Sequence, residues 1–235
     1  GVNRNYASYY NPPATFRRLN PTTLAPLVPA VTSPMLETRP RIGVDFSGWG
    51  AAGNIDWKLG ERLALQSISA YREYDSYFAT ANDLSPLANS LGFGDLSFRS
   101  FSQEIRLNGT LLPNDRIHYT VGGFYMDQLS IYKTVQDLRS NATALTQFQG
   151  NDPVNADTTA VFGHLSYQLL EKLTANFGLR YTDEHKDYTF SRRNYNGTLS
   201  AALGAIDGVT SNYDRKQWDR RVNLQYQFSD TIMAY

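Results

Sequence analysis

Cysteine is absent from all 235 residues. That excludes a disulfide framework and thiolate metal sites, and it leaves the compartment open. No run of 18 apolar residues occurs, which excludes a membrane-spanning helix. An excess of one charge is missing too: 22 basic and 22 acidic residues cancel, so nothing points to a nucleic-acid partner. A Gly-rich phosphate loop and a Gly-x-Ser-x-Gly elbow are both lacking. His118, His164 and His185 are scattered, without the spacing of metal ligands. No catalytic, cofactor or metal site is therefore expected, and the chain does not read as an enzyme. No signal peptide opens it; Gly1 leads into polar sequence bearing Tyr and Pro.

What is present is aromatic and alternating. The chain holds 16 Tyr, 12 Phe and 3 Trp. Its mean hydropathy of −0.44 suits a soluble protein. A transmembrane β-barrel hides its membrane signal, however, because only every second residue of a strand meets lipid. Pattern has to decide. Four tight turns, Leu59-Gly60-Glu61, Pro113-Asn114-Asp115, Leu170-Glu171-Lys172 and Ser229-Asp230, fall at nearly even intervals. Long polar stretches, about 80–96, 136–157 and 191–212, lie between them. Short connections at one end and long loops at the other are the mark of an outer-membrane β-barrel.

Strands are expected over about 44–59, 62–79, 97–111, 116–135, 158–169, 173–190 and 213–228, with an eighth starting at Thr231. The sixth shows the pattern most plainly: Leu173, Ala175, Phe177, Leu179 and Tyr181 oppose Thr174, Asn176, Gly178, Arg180 and Thr182. Strict period two means one face is wet and the other is not. Parity blurs at Ser67-Ile68-Ser69-Ala70, where a β-bulge would fit. Alternation alone leaves a soluble sheet and a membrane barrel open. Two features favour the membrane. Strands of about 15 residues exceed the usual globular strand of roughly 5–6. Trp57, Tyr119, Tyr167 and Tyr226 sit near a tight turn, while Tyr71, Phe101, Tyr125, Tyr181 and Trp218 lie about 10–12 residues from one, the spacing of two interfacial girdles.

Residues 1–43 hold Pro12, Pro13, Pro21, Pro26, Pro29, Pro34 and Pro40. Proline lacks the donor that a sheet ladder needs, so this stretch reads as a Pro-rich extracellular loop region, with the barrel segment over 44–235. The fold class expected is all-β: an antiparallel up-and-down barrel segment of about eight strands.

Five segments in order are similar to a known family: Ser67-Ile68-Ser69-Ala70-Tyr71-Arg72, Phe101-Ser102-Gln103-Glu104-Ile105-Arg106-Leu107, Val161-Phe162-Gly163-His164-Leu165-Ser166-Tyr167, Gly178-Leu179-Arg180-Tyr181-Thr182-Asp183-Glu184 and Leu224-Gln225-Tyr226-Gln227-Phe228-Ser229-Asp230. They resemble consecutive barrel segments of TonB-dependent outer-membrane receptors. The resemblance implies a 22-stranded barrel in the outer membrane of a Gram-negative bacterium, closed by a plug domain that this chain lacks. It implies active uptake of a scarce nutrient such as a ferric siderophore, energised by the TonB complex through that plug. Outer-membrane lipid and lipopolysaccharide are the surrounding partners it implies. A self-contained eight-stranded barrel with a structural or adhesion role is the alternative, and a soluble lipocalin-like binder is a third reading.

Ligand contacts are expected from the long loops and upper lumen. Arg72, Tyr74, Tyr77, Arg139, Arg192, Arg193 and Tyr195 are the candidates, because Arg and Tyr bind anionic or catecholate-like ligands through charge and stacking. Asp183-Glu184-His185 reads as a solvated strand end and Asn151-Asp152-Pro153 as a turn.

Overall fold

The computed structural model describes residues 44–81, 90–111, 115–138 and 146–235. The expected Pro-rich loop over 1–43 lies outside them. The described residues form one antiparallel sheet. Its strands are β1 (Val44–Gly60), β2 (Leu63–Ala81), β3 (Ser90–Leu111), β4 (Ile117–Leu138), β5 (Thr146–Leu170), β6 (Leu173–Thr189), β7 (Arg192–Asn194), β8 (Thr210–Ser229) and β9 (Ile232–Ala234). Neighbours in sequence are neighbours in space, in the order β1-β2-β3-β4-β5-β6-β8-β9, with β7 pairing the upper end of β5. The sheet is not closed. Among the described residues no α-helix forms; a 3₁₀ turn covers Gly204–Ile206.

Three of the tight turns join strands as the sequence suggested; Pro113-Asn114 of the fourth lies outside the described residues. Glu61-Arg62, Glu171-Lys172 and Asp230-Thr231 make two of them hairpins and the third the β8–β9 link. The residue just before β2, β4 and β6 also ties to the strand that follows each in the sheet. Thr110 N donates to Arg62 O (3.1 Å), Gln168 N to Arg116 O (2.9 Å) and Gln227 N to Lys172 O (2.8 Å). Arg62 further pairs with Asp115 (3.1 Å), which sits at φ +53° beside the β3–β4 connection.

Two sequence expectations change. First, the polar stretches are largely strand. β3 begins at Ser90, β4 runs to Leu138 and β5 begins at Thr146, so Asn151-Asp152-Pro153 lies inside a strand opposite Ile131, Tyr132 and Lys133. Asp183-Glu184-His185 likewise lies within β6. Second, no bulge occurs at Ser67-Ile68-Ser69-Ala70. Pairing with β1 and β3 passes through it without a register shift. The apolar parity lapses there because Ser69 Oγ donates to Gln103 Oε1 and Gln103 Nε2 donates to Ser67 Oγ (3.0 Å). The three polar side chains satisfy one another on an otherwise apolar face, which removes the penalty of leaving them unpaired.

Register defines two faces. Trp57, Leu65, Leu107, Val121, Gly163 and Leu179 stand side by side on one of them. One residue away, Asp56, Gln66, Arg106, Gly122, Phe162, Arg180 and Asp219 stand side by side on the other. Burial runs opposite to hydrophobicity. On β5, Ala156, Thr158 and Ala160 on the polar face are buried (5–8% exposed), while Val161 is 60% exposed. Ile105, Val121, Phe177, Leu179, Val222 and Leu224 on the apolar face are exposed as well. A water-soluble sheet buries its apolar face; this one turns it outward.

Candidate functional site

The polarity of the two faces inverts part-way up the strands. Up to Tyr71, Phe101 and Tyr181, the odd positions are apolar apart from Ser67, Ser69 and Gln103. Above that level they become Glu73, Asp75, Asp95, Arg99, Asp127, Asp183, His185 and Asp187. The even positions, polar below, turn aromatic: Phe46 on β1, Tyr74 and Phe78 on β2, Phe98 on β3 and Tyr132 on β4. These rings form a tier on that face. Tyr74 lies between Phe46 (5.5 Å) and Phe98 (4.7 Å, stacked), and Phe78 stacks on Tyr132 (6.1 Å). Gly48 makes the first contact close, since a Cβ there would lie 2.7 Å from that of Tyr74.

Cations underlie the tier. Arg72 is exposed on the same face one row below Tyr74, and no interaction of its side chain is present among the described residues. Lower still, Arg180 lies over the rings of Phe124 (5.5 Å) and Phe162 (5.8 Å), and its Nε donates to Thr182 Oγ1 (3.1 Å). Phe162 can lie flat because residue 122 is glycine; a Cβ there would meet Phe162 Cζ and Ile105 O at 2.6 Å. Arg106 is paired with Glu104. Along this face Lys58, Arg72, Arg106, Arg180, Lys186, Arg192, Arg215 and Arg221 outnumber Asp56, Glu104, Asp152, Glu184 and Asp219. An excess of cations on a face that also carries half-buried rings attracts a flat, anionic ligand through charge and stacking.

The sequence candidates separate. Arg72 and Tyr74 share the face that is polar lower down. Tyr77 stands on the opposite face, its ring 6.4 Å from Phe93, in a hollow shared with Asp75, Asp95 and Lys133. Arg139 lies outside the described residues. Arg192 is locked: Nη1 donates to Asp152 Oδ1 (2.6 Å), both side chains are largely buried, and Phe190 lies 4.6 Å from its guanidinium. Asp152 holds its pKa still further above the ordinary Arg value. Arg193 pairs with Asp207 (3.0 Å). The Ser191 hydroxyl, then Arg193 and the Arg192 amide, hold the Asp207 carboxyl below its usual range. These contacts fasten the β7 hairpin over the end of β5. Tyr195 belongs to the same hairpin, where its carbonyl accepts from Gln149 Nε2 (3.5 Å).

Sequence reasoning missed Phe46, Phe78, Phe98 and Tyr132. The available signal was aromatic residues at alternate positions in the phase opposite to the lower strand. Among the described residues, no group of three His, Asp or Glu side chains is arranged to hold a metal ion. No helix among them is long and apolar enough to cross a membrane.

A family model described as TonB-dependent receptor-like β-barrel matches residues 1–235. The sheet superposes on the ferric yersiniabactin uptake receptor FyuA of Yersinia pestis with a TM-score of 0.60 at 12% identity, covering 79% of this chain and 26% of that one. It also superposes on the open form of the ferric-catecholate import receptor Fiu of E. coli K12 with a TM-score of 0.58 at 13% identity, covering 83% and 37%. The chain thus spans well under half the length of either receptor.

Proposed function

The chain belongs to the TonB-dependent receptor-like β-barrel family, and from that premise we propose that it forms part of the wall of a receptor for TonB-energised nutrient uptake. The apolar face contacts the hydrocarbon of a Gram-negative outer membrane and the polar face lines the lumen. The complete barrel has 22 strands, residues 1–43 contribute an extracellular loop, and a plug domain relays the energy. The protein transports and does not catalyse. The observation that carries this reading is the inverted burial of β5, with Val161 exposed between buried Ala160 and the half-buried Phe162. Neither comparison favours a self-contained eight-stranded barrel.

The aromatic tier with Arg72 beneath it suits a ferric siderophore, an anionic chelate whose aromatic or hydroxamate arms present flat faces. The test is binding of ferric catecholate, phenolate and hydroxamate siderophores to the receptor, read by quenching of its aromatic fluorescence. Binding of one class is expected, weakened about tenfold by Arg72→Ala or Tyr74→Ala, a loss equal to one charged or stacking contact. Binding unaltered by both substitutions would place the ligand elsewhere. Uptake that survives loss of TonB would overturn the energised mechanism.

A further inference from the structure

Ser191, Arg192 and Arg193, consecutive in the connection between β6 and β8, are gripped by two buried carboxylates. Asp152 of β5 accepts from the Ser191 amide (3.2 Å) and from Arg192 Nη1 (2.6 Å). Asp207, near the far end of the connection, accepts from the Ser191 hydroxyl (2.8 Å), the Arg192 amide (2.9 Å) and Arg193 Nε (3.0 Å). The two carboxylate side chains are 7% and 4% exposed. The connection also closes on itself: Phe190 N donates to Val209 O (2.9 Å) and Gly208 N to Phe190 O (2.8 Å). Gly150 makes room for the grip. A Cβ there would lie 2.5 Å from Arg192 Nη1 and 2.8 Å from Thr134 Cγ2.

This clasp borders the aromatic tier. Tyr132, the ring of the tier on β4, faces Asp152 across the ladder. Phe148 and Phe190 add two more rings, 6.0 and 4.6 Å from the Arg192 guanidinium. Opening the clasp would leave a buried carboxylate and a largely buried guanidinium unpaired, so the closed arrangement is strongly favoured. A wall that stands before its ligand arrives adds no ordering cost to binding. We propose that Arg192 is a positioning residue: with Asp152 and Asp207 it fixes the connection between β6 and β8 as a standing wall of the ligand site, closed with or without ligand. It neither touches the ligand nor rides on a moving lid. The part played in binding rests on the siderophore reading of the tier; the fixed wall does not.

The test puts nitroxides at Ala201→Cys and Lys133→Cys, exposed positions in a chain without native cysteine, and measures their separation by double electron–electron resonance in the reconstituted receptor. One narrow distance is expected without ligand, unchanged when a ferric tris-catecholate, phenolate or trihydroxamate chelate is bound. Asp152→Ala and Asp207→Asn each broaden it and weaken chelate binding about tenfold, as when the competent arrangement falls to a tenth of the population. A guanidinium that itself met the anionic chelate would act in the opposite sense, because Asp152→Ala would free it and tighten binding. Arg192→Met weakens binding too. A disulfide formed between Phe148→Cys and Asn194→Cys, which face each other on β5 and β7, restores that variant to the affinity of the same disulfide beside Arg192. A broad ligand-free distance in wild type, a distance that shifts on binding, tighter binding by Asp152→Ala, or no recovery with the disulfide formed overturns the proposal. Binding of none of the three chelates overturns the siderophore reading instead, and the ligand-free distances still decide whether the wall is fixed.

Discussion

Val121 offers the sharpest energetic contrast in the sheet. It stands on the apolar face of β4 between Leu107 and Gly163, two residues above Tyr119 and four below Tyr125, and it is 47% exposed. If that exposure is to hydrocarbon, Val121→Arg places a guanidinium about 5 Å inside the lower girdle, at a cost between the interfacial and midplane values, about 1–3 kcal/mol. The folding constant then falls roughly 5- to 160-fold. If the exposure is to water, the same change is a surface substitution within about 0.5 kcal/mol of neutral. His118→Arg is the control, three residues earlier on the exposed polar face, and it stays within about 0.5 kcal/mol on either account. The assay is equilibrium urea unfolding of the receptor refolded into phospholipid vesicles. Val121→Arg and His118→Arg agreeing within about 0.5 kcal/mol would refute the reasoning.

Three further outcomes are expected. Gly122→Ala destabilises by about 1–3 kcal/mol through overpacking, and Phe162→Ala relieves it only in part, because Ile105 O also crowds the new methyl; unfolding of the double variant checks this. Asp152→Ala leaves Arg192 largely buried without its carboxylate, costing up to about 3–5 kcal/mol, and the double replacement with Arg192→Met is milder, as a double-mutant cycle in denaturant will show. His185 bridges β6 and β8 above the girdle, its Nδ1 2.6 Å from Asp214 and its Nε2 3.1 Å from Asp187; Asp214 first and Asp187 second raise its pKa. A raised folded value means its support is full below the unfolded value of about 6.5 and is lost as pH rises through the folded one. Amide protection at the upper ends of β6 and β8, taken relative to the intrinsic exchange rate at each pH, is therefore greater at acid than at alkaline pH, and His185→Gln flattens the difference.

The lower half of the sheet was legible because membrane and lumen impose strict period two there. Leu173 to Tyr181 reads as a strand with its lipid face marked, and β6 begins where that pattern begins. The upper half was not, because the phase reverses. In Phe93 to Phe101 the even positions become the apolar ones, and Asn151-Asp152-Pro153 carries no alternation at all, yet both stretches pair fully with β4. A reading that waits for one phase ends each strand too early and calls the remainder a loop. The same reversal hid the aromatic tier. Arg72 and Tyr74 were found from residue type alone. Arg192 and Arg193 looked equally suitable in sequence, because their partners Asp152 and Asp207 lie 40 and 14 residues away.

The most direct measurement is nitroxide accessibility along β6 of the reconstituted receptor, one label at each of residues 176, 177, 179 and 180. Labels at 177 and 179 should relax with dissolved oxygen, which concentrates in acyl chains, and those at 176 and 180 with a water-soluble nickel chelate. Nickel reaching 177 and 179, or oxygen favouring 176 and 180, would contradict the assignment of the two faces.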